Sequence, residues 1–393
     1  MTTIRAKVNP DLLVWARKSA GYTLAQAAHK LGVSEERLSQ WEAGEAQPTI
    51  KQLRNAVRVY KRPLALFFLH EPPQDFMPMH DFRRISGEDL SEYSPELRFA
   101  IRHAQERRES LLDLIDESGE EPLLFDLNAS SEDDPEEVAG KIRSSIGITY
   151  QEQVTWRDQR IGFNNWRERI EQLGVLVFQV GGIELSEMRG FSIADRTLPV
   201  IVVNNKDAPS GRTFSLLHEF VHLMIGDGGI CDMQEGVLRP PEEDVVEVFC
   251  NAVAGAALVP QAMLLSELVV SNTPEQFTQW STDQLSELAR QYCVSKEVIL
   301  RRLLTAGRTT VPHYQSMREL FIEEYRQLRE RERRRGGGGP HPAVMAVSSN
   351  GSGYVRAVLE NYYQRRITLS QVSDYLGVKL KHLPRIEASV FGR

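Results

Sequence analysis

The sequence predicts an α+β protein, with an all-α domain at the N-terminus, a mainly helical domain with a small sheet in the middle, and helical modules at the C-terminus. Apolar residues recur at helical spacing in most segments, which favours helices. Three runs at 174–180, 188–193 and 199–204 are instead rich in β-branched or alternating residues, and they predict strands. A stretch rich in Gly, Ser and Pro at 336–353 separates the last helices from the rest.

Composition also sets the domain boundaries that we expect. A chain of 393 residues is long enough for two or three domains. We expect a basic helical domain at 1–70, a helical and acidic connector at 71–150, the main domain at 151–312, a charged helix at 313–335, a flexible linker at 336–353 and a small helical module at 354–393.

Charge is divided unevenly between the N-terminal domain and the rest. Residues 1–70 contain 11 Lys and Arg against 5 Asp and Glu, a net charge of +6. Because the whole chain carries −7, the remainder carries −13. A basic module on an acidic body predicts a polyanionic partner for that module alone.

The compartment that we expect is the cytoplasm, with no membrane partner. No apolar run approaches the length of a membrane span, and the N-terminus lacks a signal-peptide profile. Three cysteines in so long a chain do not make a disulfide framework. Cys231 and Cys250 flank the candidate metal region described below, but for both we expect the more common role of a small buried residue or a loop thiol.

Residues 12–43 predict three short helices joined by tight turns. Leu12–Ala20 is amphipathic, Thr23 begins a second helix that ends near Leu31, and Ser34 begins a third over Glu35–Ala43. The turn between the second and third helices contains Gly32. The pattern resembles the Cro/repressor type of helix-turn-helix, through Thr23-Leu24-Ala25-Gln26-x-Ala28-x-x-Leu31-Gly32-Val33-Ser34-x-x-x-Leu38-Ser39-x-Trp41-Glu42-x-Gly44-x-x-x-Pro48.

That resemblance implies a DNA partner for residues 1–70. It implies that Gln26 and Ser34 approach phosphates at helix N-termini. It also implies that the exposed face of the third helix lies in the major groove, with Glu35, Glu36, Arg37, Ser39 and Gln40. The two glutamates are a departure, because acids at these positions repel phosphate. They leave three alternatives open: selection of cytosine through its N4 amine, weak DNA binding, or a module used for protein contact.

The five residues His218-Glu219-Phe220-Val221-His222 are the most informative part of the chain. On a helix, positions i and i+4 share one face, so the two histidines can point at one ion. Glu219 lies beside that face, where a carboxylate can take a proton from a metal-bound water. Apolar neighbours and Gly226 predict the helix itself. A buried helix with two hydrogen-bonded histidines is the alternative.

A hydrolytic zinc site needs a third protein ligand, and a second helix is predicted about 25 residues downstream. Of its four carboxylates, those at 242, 243 and 244 lie where an acidic first turn is expected. Glu247 instead falls in the apolar part of the helix, where an unpaired carboxylate is costly to bury. We therefore expect Glu247 as the third ligand, and Asn251, one turn later, to hold a ligand by a hydrogen bond.

The two motifs together resemble the ImmA/IrrE metallopeptidases. The matching residues are Arg212-Thr213-Phe214-Ser215-Leu216-Leu217-His218-Glu219-Phe220-Val221-His222, Glu247-x-x-Cys250-Asn251-Ala252-Val253-Ala254 and Leu258-Val259-Pro260. The resemblance implies a zincin-like domain in which His218, His222 and Glu247 bind Zn²⁺ and Glu219 is the general base. Cys250, Val253 and the Phe-Val pair inside the first motif replace the family's commoner residues without removing any of these four groups.

These residues predict metal-assisted peptide hydrolysis. Zinc lowers the pKa of its water to about 7, and Glu219 would take the water proton and deliver it to the leaving amine. A second oxyanion donor is usually needed, for which His313 and Tyr314 are candidates. The strands predicted ahead of the zinc helix either offer an edge to an extended peptide or only shield the helix.

The sequence thus favours an intracellular zinc endopeptidase with a DNA-binding module. The family resemblance implies that the substrate is a helix-turn-helix repressor in a stress, phage or mobile-element response; cleavage of the chain itself at its Gly-rich linker stays open. The alternative is a DNA-binding transcriptional regulator, or an antitoxin, that uses the metallopeptidase-like domain to sense a ligand or a protein. Retention of all four catalytic groups favours the peptidase.

Three further helical segments complete the prediction. A long helix at Ser94–Glu117 either separates the two domains or pairs with a second subunit in a homodimer. Helices at Asp283–Tyr292 and Ser295–Leu304 have helix-turn-helix-like spacing, which packing explains better than binding. The C-terminal module, with its clearest helix at Leu369–Val378, either binds a partner or packs back on the protein.

Overall fold

The computed structural model describes residues 5–73, 80–81, 93–226, 229–231, 241–274, 278–335 and 340–392. The chain forms two compact units, Met1–Pro78 with Gly87–Glu106, and Met79–Ser86 with Arg107–Arg393. Both units are mainly helical and a small sheet lies in the second, which confirms the α+β class. Among the residues that the structure describes, no helix is long and apolar enough to cross a bilayer.

The described helices and strands are numbered in chain order. The helices are α1 (Pro10–Ser19), α2 (Leu24–Leu31), α3 (Glu35–Glu42), α4 (Ile50–Tyr60), α5 (Pro95–Ser118), α6 (Pro135–Ile146), α7 (Tyr150–Trp156), α8 (Gln159–Glu171), α9 (Pro209–Ile225), α10 (Pro241–Leu258), α11 (Gln261–Ser266), α12 (Leu268–Ser271), α13 (Thr282–Tyr292), α14 (Lys296–Thr305), α15 (Val311–Arg335), α16 (Pro342–Asn350), α17 (Ser352–Tyr363), α18 (Leu369–Leu376) and α19 (Leu383–Phe391). The strands are β1 (His80–Asp81), β2 (Leu176–Val180), β3 (Gly190–Ile193), β4 (Val200–Asn204) and β5 (Gly229–Cys231).

The first unit contains the predicted helix-turn-helix. A capping box begins α2, where Thr23 Oγ1 accepts from the Gln26 N–H at 3.2 Å and Gln26 Oε1 accepts from the Thr23 N–H at 3.0 Å. Gly32 then turns the chain in the left-handed region at φ 68°, and Ser34 caps α3. The core of the unit includes the buried residues Leu13, Ala16, Leu38, Trp41, Leu53 and Phe67. The predicted helices and turn are confirmed.

The second unit contains a sheet with strand order β1-β5-β3-β4-β2. β3 runs antiparallel to both of its neighbours, whereas β1 and β2 are parallel to theirs. Every residue of β4 is buried, as expected for a strand paired on both sides and covered by helices. β2, β3 and β4 correspond to the three predicted strands, which are confirmed.

Helices α9 and α10 pack against each other, and α9 also contacts β3 and β4. Small residues line the end of α10, where Ala254, Ala256 and Ala257 are fully buried. Short side chains let two helix backbones approach closely, since little side-chain volume separates them. This packing brings the helix of the His-Glu-x-x-His motif next to the helix that carries Glu247.

Two buried arginines fasten neighbouring helices to the end of α10. Arg143 of α6 donates to the Ala257 carbonyl at 2.7 Å, and Arg302 of α14 donates to the Val259 carbonyl at 2.8 Å and pairs with Glu136. The last carbonyls of a helix lack an intrahelical partner, so the two guanidinium groups satisfy them. Burial lowers the pKa of Arg143 to about 10, which leaves the group charged at neutral pH.

Two stretches predicted as connecting segments contain packed helices. α6 lies within the predicted connector at 71–150, yet Ile142 is fully buried in the core of the second unit. The acidic composition around α6 conceals an apolar stripe at helical spacing. The linker predicted at 336–353 is helical over Pro342–Asn350, because Pro342 favours a helix start and Ala343 and Ala346 are buried.

The C-terminal helices pack back on the second unit. α16 contacts β2, and α17 contacts α8. Tyr354 meets Phe178 edge to face at a centroid distance of 5.6 Å, and Glu171 Oε2 accepts from the Ser352 hydroxyl and the Gly353 N–H, both at 3.0 Å. The side of α16 and α17 that faces the second unit is therefore used for packing.

Replacing Ile201 of β4 by Ala is expected to destabilise the second unit by about 2–5 kcal/mol, because it leaves a cavity inside the sheet. Ile161→Ala is the matched control, since Ile161 is 50% exposed and its loss should cost less than about 0.5 kcal/mol. Urea denaturation followed by circular dichroism compares the two variants. Equal shifts of the unfolding transition would contradict the assignment of β4 to the core.

Candidate metal centre

Helix α9 holds the histidines of the motif inside the protein. Pro209 occupies its first turn, and Gly226 ends it in the left-handed region at φ 80°. Between these ends the helix is buried on nearly all sides, including at His218, Glu219 and His222, which are 0% exposed. Three polar side chains at this depth require partners, because an unsatisfied buried polar group is costly.

The two histidines converge on the carboxylate of Glu247. Their Nε2 atoms lie 3.1 Å apart. Glu247 Oε1 is 3.2 Å from His222 Nε2, and Glu247 Oε2 is 3.5 Å from His218 Nε2. The structure thus brings together the three predicted ligands, with one donor atom of each within 4.8 Å of the others. Two imidazole nitrogens and one carboxylate oxygen are the donor set of many catalytic zinc sites, so these residues fit Zn²⁺.

Exposure along α10 singles out Glu247 among its acidic residues. The Glu247 side chain is 1% exposed, whereas Val245 and Val248 are 55% and 68% exposed. Asp244, another candidate, is exposed. The side chains of Glu242 and Glu243 are not among those that the structure describes. A helix that packs only by hydrophobicity would bury the valines and expose the carboxylate. The reversed arrangement indicates that the buried carboxylate has a binding role.

Electrostatics favour an ionised Glu247. Burial alone would raise the pKa of its carboxyl, but the charges of His218 and His222 and their hydrogen bonds hold that pKa well below its usual range. Burial lowers the pKa of His218, yet the negative charge of Glu247 outweighs this and raises it above the usual value. Without a metal, Glu247 and His218 therefore favour each other's charged forms inside the domain.

Glu219 lies beside this group but has different neighbours. Its Oε2 accepts a hydrogen bond from the Ser192 hydroxyl of β3 at 2.9 Å. Within the described residues, its Oε1 has no hydrogen-bond partner. Burial raises the pKa of the Glu219 carboxyl, although His222, His218 and Ser192 oppose the rise. A buried carboxyl with one free oxygen is suited to accept a proton from a water molecule.

Gly190 makes room for Glu219. A Cβ atom at this position would lie 2.8 Å from Glu219 Oε1 and 3.0 Å from its Cγ, closer than carbon atoms normally approach. Sequence analysis identified neither Gly190 nor Ser192 as part of the site. Both fall in the predicted strand at 188–193, but only the packing of β3 on α9 reveals their neighbour.

Asn251 orients the first histidine. Its Oδ1 lies 3.1 Å from His218 Nδ1, which makes His218 Nδ1 the donor. With its proton on Nδ1, the imidazole keeps the Nε2 lone pair for a metal. This is the geometry expected of Asn251 from its position one turn after Glu247.

Other candidates from the sequence have partners outside this group. His313 Nε2 accepts from the Trp280 N–H at 3.1 Å, and the Tyr314 hydroxyl accepts from Arg301 at 2.7 Å, so each has another structural role. Cys250 is fully buried in the core, in agreement with its expected structural role. The side chain of Cys231 is not among those that the structure describes.

The residues predicted to contact DNA lie on the surface of the first unit. Those exposed are Gln26, Ser34, Glu35, Glu36 and Ser39, and those partly buried are Arg37 and Gln40. Two of them also cap their own helices, through Gln26 Oε1 and Ser34 Oγ. Arg37 Nη1 donates to Gln40 Oε1 at 3.0 Å. The two glutamates lie on the face that the resemblance directs toward the groove.

A cleft of about 950 Å³ opens beside the first turn of α9. A smaller cavity of about 170 Å³ shares Ser210 and Gly211 with the cleft and extends to Phe214 and Asn251. Because Asn251 contacts His218, this cavity ends one side chain away from a candidate metal ligand. It lies on the same face of α9 as the histidines, since residues 211, 214 and 218 follow helical spacing.

Two family models match this chain. Residues 170–304 match a peptidase family model described as the IrrE N-terminal-like domain, and residues 13–67 match a model described as Helix-turn-helix. This chain joins a helix-turn-helix domain to an IrrE-like domain. No curated protein matches it.

The IrrE-like domain contains every residue of the candidate metal centre. It begins in the last turn of α8 and ends in α14, so it includes β2, β3, β4, α9 and α10. The helix-turn-helix domain covers α1 through α4, and both family resemblances drawn from the sequence are confirmed. The helices from α15 to α19 lie beyond either match.

We expect the protein to bind about one Zn²⁺ per chain through the three ligands, and His222→Ala to reduce this to near zero. His29→Ala removes an exposed histidine of the first unit and should leave the zinc content unchanged. Inductively coupled plasma mass spectrometry of dialysed protein measures both. Retention of the parent's zinc by His222→Ala would contradict the assignment.

Proposed function

We propose that this chain is a zinc endopeptidase that regulates transcription by cleaving a protein substrate, with its helix-turn-helix domain bound to DNA. The observation that carries the proposal is the buried group of His218, His222 and Glu247, with Glu219 beside it. Two imidazoles and two carboxylates at this depth are costly to maintain for stability alone. A hydrolytic site gives each of the four a chemical role.

In this mechanism His218, His222 and Glu247 would hold Zn²⁺, which supplies Lewis-acid chemistry: it polarises a peptide carbonyl and lowers the pKa of a water molecule. Glu219 takes the proton of the attacking water on its free Oε1 and passes it to the leaving amine. The Ser192 hydroxyl holds Oε2, so the carboxylate keeps one orientation through both transfers. Asn251 keeps His218 in the tautomer that leaves Nε2 free.

The substrate would approach through the cleft beside α9. Its inner cavity is lined by Arg189, Arg301, Arg318 and Glu297. Arg189 pairs with Asp207 and Arg318 pairs with Glu297, so the three arginines exceed these acids by one charge. The excess of cations contrasts with the acidic charge of residues 71–393 and favours acidic or polar side chains in the bound peptide. Phe214 adds an apolar contact nearer to the metal centre.

We propose a helix-turn-helix repressor as the substrate, in a stress, phage or mobile-element response. The presence of a DNA-binding domain in the same chain supports this, because it brings the peptidase to DNA where such repressors bind. The second candidate is a regulator or antitoxin in which the IrrE-like domain senses a ligand or a protein. A sensor has no need of Glu219, and its retention beside the ligands favours hydrolysis.

Glu219→Gln is expected to retain zinc and lose peptide hydrolysis by roughly 10²–10⁴-fold, because the amide cannot accept the water proton. Coexpression of the chain with small helix-turn-helix repressors encoded near its gene, followed by immunoblotting, measures cleavage. The parent should shorten one repressor and the variant should leave it intact. If the unmodified protein contains zinc and still leaves all the repressors intact, the result would favour the sensor function.

Gly190→Ala is expected to slow hydrolysis on the order of 10²-fold with zinc retained, because the added methyl displaces the Glu219 carboxylate. The matched control is Gly140→Ala in α6, where a Cβ meets nothing within 4 Å. The same cleavage assay, with zinc content measured in parallel, separates the two variants. Equal activity in both would argue against a role for Glu219 in catalysis.

A further inference from the structure

The C-terminal module repeats the second and third helices of the N-terminal domain. Residues 22–42 and 367–387 align without a gap, and 8 of these 21 positions are identical. The identical pairs are Thr23 and Thr368, Leu24 and Leu369, Gln26 and Gln371, Leu31 and Leu376, Gly32 and Gly377, Val33 and Val378, Leu38 and Leu383, and Glu42 and Glu387. They include the residues that form the cap, the turn and the core of a helix-turn-helix.

The local geometry of the two segments is also the same. α18 has the length of α2 and begins with the same capping box, here formed by Thr368 and Gln371. Gly377 turns the chain at φ 63° and ψ 32°, compared with φ 68° and ψ 38° at Gly32. After each glycine, a valine N–H donates to the residue five positions earlier, at 3.1 Å in both segments.

Burial follows the same pattern. In the N-terminal segment the buried residues Leu31, Leu38 and Trp41 face its core. The equivalent residues Leu376, Leu383 and Ile386 are 2%, 7% and 0% exposed. The two segments therefore direct the same side of their third helix inward and leave the same side exposed.

The exposed sides differ in charge. The N-terminal segment has Ser34, Glu35, Glu36 and Gln40 at positions where the C-terminal segment has Lys379, Leu380, Lys381 and Arg385. Lys379, Lys381 and Arg385 are all exposed, and within the described residues none of their side chains forms an ion pair or a hydrogen bond. The surface that carries acids in the first segment is cationic in the second.

The C-terminal segment also contains two acids, Asp374 and Glu387, against these three cations. Glu387 is engaged by the Tyr363 hydroxyl, which donates to its Oε1 at 2.6 Å. Burial and the charges of Lys381, His341 and Lys379 lower the pKa of His382, which indicates that cations of this surface repel one another. An anion bound there would relieve this repulsion.

The helix pair α13 and α14 is a useful contrast. It also has a capping box and a left-handed turn at Cys293, but Val298, Ile299 and Leu300 are all buried in the second unit. Three consecutive buried residues leave no continuous outer face on α14. Helix-turn-helix-like geometry by itself thus does not imply binding, whereas the exposed cations at 379, 381 and 385 do point to an anionic partner.

We propose that residues 367–391 form a second DNA-contacting helix-turn-helix, in which Lys379, Lys381 and Arg385 contact the phosphates of duplex DNA. The segment departs from the first one at the start of its third helix, where residues 380–382 form a 3-10 turn and Pro384 follows. This departure favours phosphate contact over base reading, because lysine and arginine reach phosphates without a groove-fitted helix.

Two DNA-contacting segments in one chain have a physical consequence. Once the N-terminal domain is bound, the C-terminal segment meets DNA at a high effective concentration, so three phosphate contacts are enough to add affinity. The first segment carries two acids on its exposed face, which weaken its attraction to phosphate. The added phosphate contacts of the second segment would compensate for this. The second segment would then supply charge while the first selects sequence.

The test compares full-length protein with a variant in which Lys379, Lys381 and Arg385 are all replaced by Gln. Fluorescence anisotropy with random 40-base-pair duplexes gives the affinity between about 50 and 200 mM salt. We expect the variant to bind on the order of 10- to 100-fold more weakly, with the slope of log affinity against log salt smaller by about 2–3, since each phosphate contact contributes about 0.9. The three positions are exposed, so circular dichroism and thermal melting should be unchanged.

The matched control replaces Arg157, Arg160 and Arg290 by Gln, which removes the same charge from exposed positions elsewhere in the second unit. It should keep the parent's affinity and slope. Photocrosslinking to azide-labelled DNA, mapped by mass spectrometry, should label peptides from both 5–73 and 367–391. Unchanged affinity and slope in the Lys379, Lys381 and Arg385 variant, or crosslinks confined to 5–73, would overturn the proposal and leave a protein partner for this surface.

Discussion

The second unit depends on the burial of one carboxylate, that of Glu247. A carboxylate at this depth is stable only when opposite charge and hydrogen-bond donors surround it, and His218 and His222 provide both. That requirement fixes the distance between α9 and α10, because the imidazole nitrogens and a carboxylate oxygen must lie about 3 Å apart. The small residues at the end of α10 and the buried arginines that hold its last carbonyls make this close packing stable.

Glu219 and Glu247 show how one helix pair gives two carboxylates different chemistry. Both are buried, but Glu247 faces two imidazoles and its pKa is held low, whereas Glu219 has a single hydroxyl partner and its pKa is raised. Strand β3 causes the difference, because Ser192 binds one oxygen of Glu219 and Gly190 leaves space for the other. The sheet therefore determines that Glu247 stays ionised as a candidate metal ligand, whereas Glu219 can accept and release a proton.

The residues of this site that the sequence predicts carry local signals. The i, i+4 histidines and an acid inside an apolar helix identify His218, His222 and Glu247 without knowledge of the fold. Ser192 and Gly190 could not be found, since their role depends on how β3 packs on α9, a contact between distant parts of the chain. Composition places α6 in a helical connector and α16 in a linker, because acidic residues and Gly, Ser and Pro outweigh a short apolar stripe.

Helix-turn-helix-like geometry occurs three times in the part of the chain that the structure describes, and the side chains after the turn separate the three cases. A capping box, a left-handed turn and a following helix are local features, so short sequences specify them wherever they occur. What each segment does depends on the side chains that follow the turn, which are buried in α14, acidic at Glu35 and Glu36 of α3, and cationic at Lys379, Lys381 and Arg385. A shared cap and turn therefore lead into core packing in one place and into a charged surface in the other two. The charge on that surface, rather than the turn itself, decides how strongly each segment can attract DNA.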